Sequence, residues 1–471
     1  MLRRPCVGVV LLRAEWFDSV VALPQLSDAV DADVRALADA LAGSFELAGL
    51  WVVNSAAALE RAERALLGSR LDLVVLAFQV WAEDWYLMPL LRAIGDTPLA
   101  VWCYMPQPRP PRPASFIEVL RSSGAVGTLE GLGTLRNLGA NFSFTLGAPS
   151  SPRVLADLGR AARAAAVRTD LRRARFGLLP YRNEQMQSNF VDEFRLLTEL
   201  GPKVEYLSVG QLAQRAAAVR QSELDAWLAD LRLRYPVRGV SEATLAMAAR
   251  ASLGLAHLAS EWHLDVLSFN DIAPELHEVL GLRPCLYPEL FSDAGTLLGL
   301  EGDLGAATAL FVLNRLTGSA TLFGEIWFWD EPDNLVVLGH AGPQNPALAA
   351  DGHAWISHDY EFAGSDRTEG AQLQFVARPG QVTLFQVRAT PLGWQALATR
   401  GEALASEPWV EGYPHAVVQL QVPVSEFFHR AAEAGSTQHW GLAYGDALDD
   451  LAMLCTLLGV PLEAMGSPAA A

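Results

Sequence analysis

The chain has 471 residues, 51% hydrophobic and 19% charged. That excludes a disordered polymer and calls for about two or three domains. Its 53 acidic residues outnumber 35 basic ones, a net charge of −18, which argues against nucleic acid or an anionic membrane as partner, because both select basic surfaces.

Residues 6–14 (CVGVVLLRA) are a continuous apolar run, the pattern of a strand covered on both faces. The run after the two N-terminal arginines is too short for a leader peptide. Residues 26–48 read as a helix with Val30, Val34, Leu37, Leu41 and Phe45 on its apolar face. A strand over 50–53, a helix over 56–67, a strand over 73–78, a helix over 85–94 and a strand over 99–103 then alternate, which predicts a doubly wound parallel sheet. Ligands of such sheets bind at the carboxyl ends of strands, so 78–85 and 104–108 are candidate pocket walls. No GxGxxG follows the first strand, and no nucleotide cofactor is expected. Residues 106–113 (PQPRPPRP) form a rigid loop. A helix over 115–122, a Gly-rich stretch at 127–139 and a strand over 142–147 follow. The Ala- and Arg-rich helix 151–173 reads as a connector.

A second βα pattern begins at 174–179. YRNEQMQSN (181–189) leads to a helix over 190–199 and a strand over 204–207. A short helix starts at 210, and longer ones cover 222–234 and 240–261. Next come a strand over 264–269, a helix over 271–281, a strand-to-loop unit at 285–295 and a helix over 304–316. From 320 the pattern changes to short strands with Pro, Gly and Asp turns, at 321–330, 334–342, 373–377, 381–389, 393–401 and 415–422. Helices over 424–434 and 447–458 complete it. The expected architecture is α/β: two doubly wound, Rossmann-like domains over 1–172 and 173–318, then a mostly β, barrel-like domain over 319–471 with two helices. No stretch approaches the roughly 20 apolar residues of a membrane-spanning helix, and a cytoplasmic location is expected.

Some chemistry is set aside by composition. Lys203 is the one lysine, which disfavours Schiff-base chemistry and a P-loop. Cys6, Cys103, Cys285 and Cys455 are far apart with no CxxC pair, so buried free thiols are expected in place of a disulfide framework or a structural zinc site.

The stretch from Gly299 to Pro343 carries the chemistry. Glu301 lies in a Leu-Glu-Gly-Asp turn before an apolar helix. Helix capping accounts for Asp303 but less well for Glu301, which precedes the cap. Glu325 is flanked by Phe323, Ile326, Trp327, Phe328 and Trp329, although strands deplete Glu and a buried carboxylate is costly unless paired or metal-bound. Alternation puts Glu325 on one face with Phe323 and Trp327. His340 ends the next strand pattern, and His439 precedes another apolar strand. Each histidine alone reads as an ordinary structural residue.

Taken together, LEGDLGAATAL, LFGEIWFW, DNLVVLGHAG and QHWGLAYGDALDDL resemble, in order and spacing, the L-arabinose isomerase / L-fucose isomerase superfamily of metal-dependent sugar isomerases. WAEDWYLMPLLRAIGDTPLAVWCYMPQPR, the segment opening RARFGLLPYRNEQ, and PGQVTLFQV extend the resemblance over most of the chain. It implies that Glu301 and Glu325 bind one divalent metal and move protons, with His340 and His439 completing the metal site, His340 either on the metal or on a sugar oxygen. Gln107 stands where a glutamine is common in that family. Trp327 and Asp293 are further candidate sugar contacts. The chain departs from the fucose type at Leu300 and Ala341, where cysteines are frequent, and from the arabinose type in having Gln438 before its late histidine. These departures leave the sugar open.

The implied activity is aldose–ketose isomerisation of an unphosphorylated pentose or 6-deoxyhexose through a cis-enediol. A carboxylate–histidine donor set suits Mn²⁺, with Mg²⁺ or Co²⁺ as substitutes. The alternatives are a metal-dependent sugar epimerase or lyase on the same scaffold, or a non-catalytic sugar-binding relative. The resemblance also implies a homo-oligomer, a hexamer or a tetramer.

Overall fold

The computed structural model describes residues 3–19, 24–43, 45–362 and 370–466. They divide into two compact units, one of Arg3–Thr169 with Thr456–Gly459, the other of Asp170–Cys455 with the residues from Val460. The molecule is mixed α/β, with parallel sheets and a closed β-barrel toward the C-terminus. No helix among the described residues is long and apolar enough to cross a membrane.

The first unit holds β1 (Cys6–Leu12), β2 (Glu46–Val53), β3 (Leu73–Phe78), β4 (Leu99–Tyr104) and β5 (Phe142–Gly147). All pair in parallel in the order β2-β1-β3-β4-β5. The central strands are unbroken apolar runs because both faces are covered, and every residue of β3 is buried. Two expectations need correction here. The helix read over 26–48 is Pro24–Ala42, and Glu46 already belongs to β2. Phe45 continues the helical periodicity, but the Glu46 N–H donates to Pro5 O at 2.9 Å and starts the strand instead. The Gly-rich stretch, assigned no helix from sequence, lies in the helix Gly124–Asn137. Added Cβ atoms at Gly127 and Gly131 would stand 2.6 and 2.5 Å from the Phe78 ring. The glycines lower helix propensity but let this helix sit directly on β3.

The second unit begins with β6 (Arg175–Leu179), β7 (Lys203–Tyr206), β8 (Val237–Arg238), β9 (Val266–Phe269) and β10 (Leu297–Leu300). β10-β9-β6-β7 form a parallel sheet. The expected strand at 285–295 is absent. Cys285 makes one isolated bridge to Gln372, and Leu290–Ala294 is a short helix ended by Gly295 at φ 71°. Pro288 has no N–H to continue a ladder.

The barrel is built from β11 (Thr321–Asp330), β12 (Leu335–Gly339), β13 (Ala349–His358), β14 (Ala371–Ala377), β15 (Gly380–Thr390), β16 (Gly393–Ala403), β17 (His415–Leu420), β18 (His439–Tyr444) and β19 (Leu462–Met465). The run β16-β15-β18-β11-β12-β17 closes on itself through a β16–β17 pairing. β14, β13 and β8 extend it past β17, and β19 adds to β16. Leu322, Val336, Leu338, Leu384, Val418 and Leu442 fill the interior.

The helix Leu304–Thr317 is buried along nearly its whole length. Ala306 and Leu310 join Phe269 and Leu300 of the parallel sheet and Phe323 of the barrel in one core. This helix fixes the end of β10 against β11 and β18, and the candidate site forms there.

Candidate active site

Glu301 follows β10 directly. Its φ is +55°, and that of Gly302 is +68°. Two successive left-handed residues turn the chain from strand to helix. A Cβ at Gly302 would lie 2.5 Å from Arg182 Cα and 2.7 Å from Tyr181 O, so both the conformation and the packing require glycine. Glu301 has no such excuse. A left-handed non-glycine residue costs about 1–3 kcal/mol and persists only where its surroundings enforce it. The enforcement is visible, because Asn183 N–H donates to Glu301 O at 3.0 Å.

The barrel register supplies the other residues. Glu325 on β11 stands opposite His439 on β18 and opposite Gly339 on β12, whose next residue is His340. β12 begins its pairing only at Glu325. Before that point Gln344 substitutes for a strand, donating to Phe323 O at 3.0 Å and accepting from Phe323 N–H at 3.3 Å. The buried Phe323 ring lies 4.6 Å from the His439 ring and 5.0 Å from that of His340. It forms an apolar floor that limits where the imidazoles can turn.

Glu301, Glu325, His340 and His439 each offer a ligand atom within 4.8 Å of the others. His439 Nε2 is 3.1 Å from Glu301 Oε2 and 3.5 Å from Glu325 Oε1, and His340 Nε2 is 3.8 Å from Glu301 Oε1. His439 is wholly buried, Glu301 and His340 nearly so, and Glu325 half-buried. Glu301 Oε2 and His439 Nε2 have no hydrogen-bond partner despite their proximity. Buried polar atoms are rarely left so. Two orphaned atoms converging with a second carboxylate and a second imidazole fit the donor set of a divalent cation. The His340 Nδ1–H donates to Ala341 O at 3.1 Å, which leaves the lone pair on Nε2, the nitrogen facing Glu301.

Burial opposes charge on the His439 ring, but the carboxylates of Asp303, Glu301 and Glu325 outweigh it and hold its pKa well above the ordinary 6.5. Burial likewise opposes ionisation of Glu325, yet the nearby imidazoles of His439 and His340 keep its pKa below the usual 4.5.

The remaining candidates fall in different places. The Trp327 indole donates to Glu325 Oε2 at 3.4 Å. A cavity of about 440 Å³ opens beside Glu325, lined by Trp327, Phe427, Trp440, Thr437 and Gln438, large enough for a small ligand. Trp329 is exposed and packs on Phe428 instead. Asp293 is exposed on the short helix Leu290–Ala294. Gln107 lies in the first unit and donates to Glu118 at 3.2 Å.

Three features escaped the sequence reading. Asp303, read as a cap, also lies 2.8 Å from His439 Nδ1. Asn189 in the 181–189 loop approaches the same nitrogen at 3.2 Å. Behind the cluster lies Asp271, wholly buried, whose pKa burial pushes up to about 6 against the pull of Arg283. Each follows from tertiary contact and has no local motif.

No family model matches the chain. Curated proteins named sulfoquinovose isomerase do resemble it. That of Priestia megaterium is 24% identical over 419 residues, covering 87% of this chain and 89% of its own length. That of Alkalicoccus urumqiensis is 23% identical over 332 residues, 70% of this chain and 73% of its own. That of a Clostridium species is 24% identical over 357 residues, 73% and 76%. Similarity of this extent to enzymes of one named activity supports an enzyme here, a sugar isomerase.

Proposed function

We propose that the chain interconverts an aldose and its ketose through a cis-enediol, using a divalent cation held by Glu301, Glu325, His340 and His439. The observation that carries this reading is the buried convergence of four ligand atoms, two of them without hydrogen-bond partners. Mn²⁺ is the first candidate, with Mg²⁺ or Co²⁺ as substitutes, and such a cation would polarise the neighbouring sugar oxygens and stabilise negative charge built up during proton transfer. The chain's own residues do the rest. Glu325, half-buried and beside the cavity, is the carboxylate open to substrate and takes the carbon-bound proton. Glu301, held rigidly in its turn, handles the oxygen-bound proton. The Trp327 indole steadies Glu325 and offers an apolar face to the sugar.

Sulfoquinovose is the first substrate to assay, because the similar enzymes are named for it. A pentose or 6-deoxyhexose of the L-arabinose or L-fucose kind is the second, from the motif resemblance. The same resemblance supports a three-domain division with two Rossmann-like domains, and a homo-oligomer. The deciding experiment incubates metal-stripped protein with each sugar in D₂O, with and without Mn²⁺, and follows ketose formation and deuterium at C2 of recovered aldose. Mn²⁺-dependent ketose with deuterium incorporation is expected. The absence of ketose from every sugar, or full activity in Glu325→Gln, would sink the reading.

A further inference from the structure

Asp303 uses its two carboxylate oxygens for different tasks. Oδ1 accepts the Ala306 N–H at 2.9 Å and caps the helix Leu304–Thr317. Oδ2 lies 2.8 Å from His439 Nδ1. Both residues are buried, Asp303 at 4% exposure and His439 at 0%.

An ionised carboxylate only accepts, so the proton in this contact sits on Nδ1. The Asn189 amide is 3.2 Å from the same nitrogen. Were Asn189 the donor to a bare Nδ1, that lone pair would face the Asp303 lone pairs at 2.8 Å in a buried site. The shorter, charge-assisted bond decides between them. When a cation displaces the Nε2 proton, the proton on Nδ1 stays with Asp303, and Nε2 presents its lone pair between Glu301 Oε2 and Glu325 Oε1, at 3.1 and 3.5 Å.

We propose that Asp303 is a positioning residue that sets the tautomer and ring orientation of His439 and so makes its Nε2 a metal ligand. This rests on the divalent-cation reading above. The helix gives the arrangement its rigidity. Pinning Oδ1 to the helix N-terminus leaves Oδ2 one direction to face, and the helix itself is locked in the core. The orientation of a ligand on the barrel is thus set by a helix that follows the parallel sheet.

The isosteric variant Asp303→Asn separates the two tasks. Asn caps a helix as well as Asp does, so the cap survives through Oδ1. Its amide then donates toward Nδ1 and drives the imidazole proton to Nε2, into the cluster. The melting temperature in EDTA is expected to stay within about 2 °C of wild type. Mn²⁺ affinity, read from the electron paramagnetic resonance of free Mn²⁺, is expected to fall about 10–100-fold. Nitrogen-15 spectra of histidine-labelled, Mg²⁺-loaded protein are expected to show His439 protonated at Nδ1 in wild type. Asp303→Ser keeps a capping oxygen and removes the bond to His439, and is expected to weaken Mn²⁺ binding to a similar degree even if Asp303→Asn fails to fold. Wild-type binding with equal affinity in the folded variants overturns this assignment alone, as does an Nε2-protonated His439 in the wild type. Failure of the wild type to bind Mn²⁺ overturns the cation reading and this assignment with it.

Discussion

Two buried clusters of charge in the second unit are built on opposite plans. In one, the wholly buried Arg283 donates to Asp271 at 2.9 Å and to both oxygens of Asp359 at 2.6 and 2.8 Å, with Glu361 at 2.6 Å. The chain supplies its own cation, and a planar guanidinium suits several carboxylates at once. In the other, Glu301 and Glu325 face only imidazoles within the cluster, and Glu301 Oε2 and His439 Nε2 are left without hydrogen bonds. Asp271 stands at the seam. Its charge interacts with Arg283 on one side and with His340 and Glu301 on the other, and its Oδ1 also lacks a partner. The fold thus satisfies buried acids with an arginine where the purpose is structural. The same fold sets a second pair of acids against imidazoles, with no arginine or lysine paired to them among the described residues, which is the feature the proposed cation answers.

Breaking each cluster tests the contrast. Glu325→Gln is expected to have the largest effect, lowering the isomerisation rate about 10²–10⁴-fold with little change in melting temperature, as measured by initial rates of ketose formation. Arg283→Met is expected to do the reverse at source. It strands three carboxylates around an apolar chain and costs about 3–5 kcal/mol of stability by urea denaturation. Mn²⁺ at about 100 times its dissociation constant is expected to stabilise the wild type by about 2.7 kcal/mol, with no such gain in Glu301→Gln. Equal stabilisation of both proteins would place the ion elsewhere.

The smallest effect concerns a third pair, in the first unit. Asp72 accepts from Arg3 at 2.6 and 2.8 Å and from the Cys6 N–H at 2.8 Å. Burial raises its pKa, but these bonds win and hold it below the ordinary 3.8. A depressed carboxylate stabilises the fold above its unfolded pKa and loses that contribution as pH falls through the folded value. Asp72→Asn is therefore expected to cost about 1–2 kcal/mol at pH 7. In parallel denaturation series the difference from wild type should shrink below about pH 4.

Much of the chain was legible in its sequence, for identifiable reasons. The apolar runs at β1, β3 and β4 admit one reading, because only strands covered on both faces look that way. Glu325 stood out as a carboxylate among aromatics. Neither histidine stood out. His340 and His439 drew attention through the order of motifs, and their proximity comes from barrel register, which no local pattern encodes. β13 was missed because Asp351, Gly352 and His353 interrupt its apolar alternation at an irregularity in the pairing with β14. Asp303 was recognised for half of its role, since a sufficient local explanation hid the distant one.

The place of β18 in the barrel has a consequence for how the molecule comes into being. It is the last of the six closing strands along the chain, yet it lies between β15 and β11. The earlier strands cannot close the ring until the segment carrying His439 arrives. Contacts across such sequence separations form late, because long loops must be closed first. During synthesis, Glu301, Glu325 and His340 therefore meet His439 only when the final stave arrives. If the proposed cation binds, its uptake would mark the moment the barrel shuts.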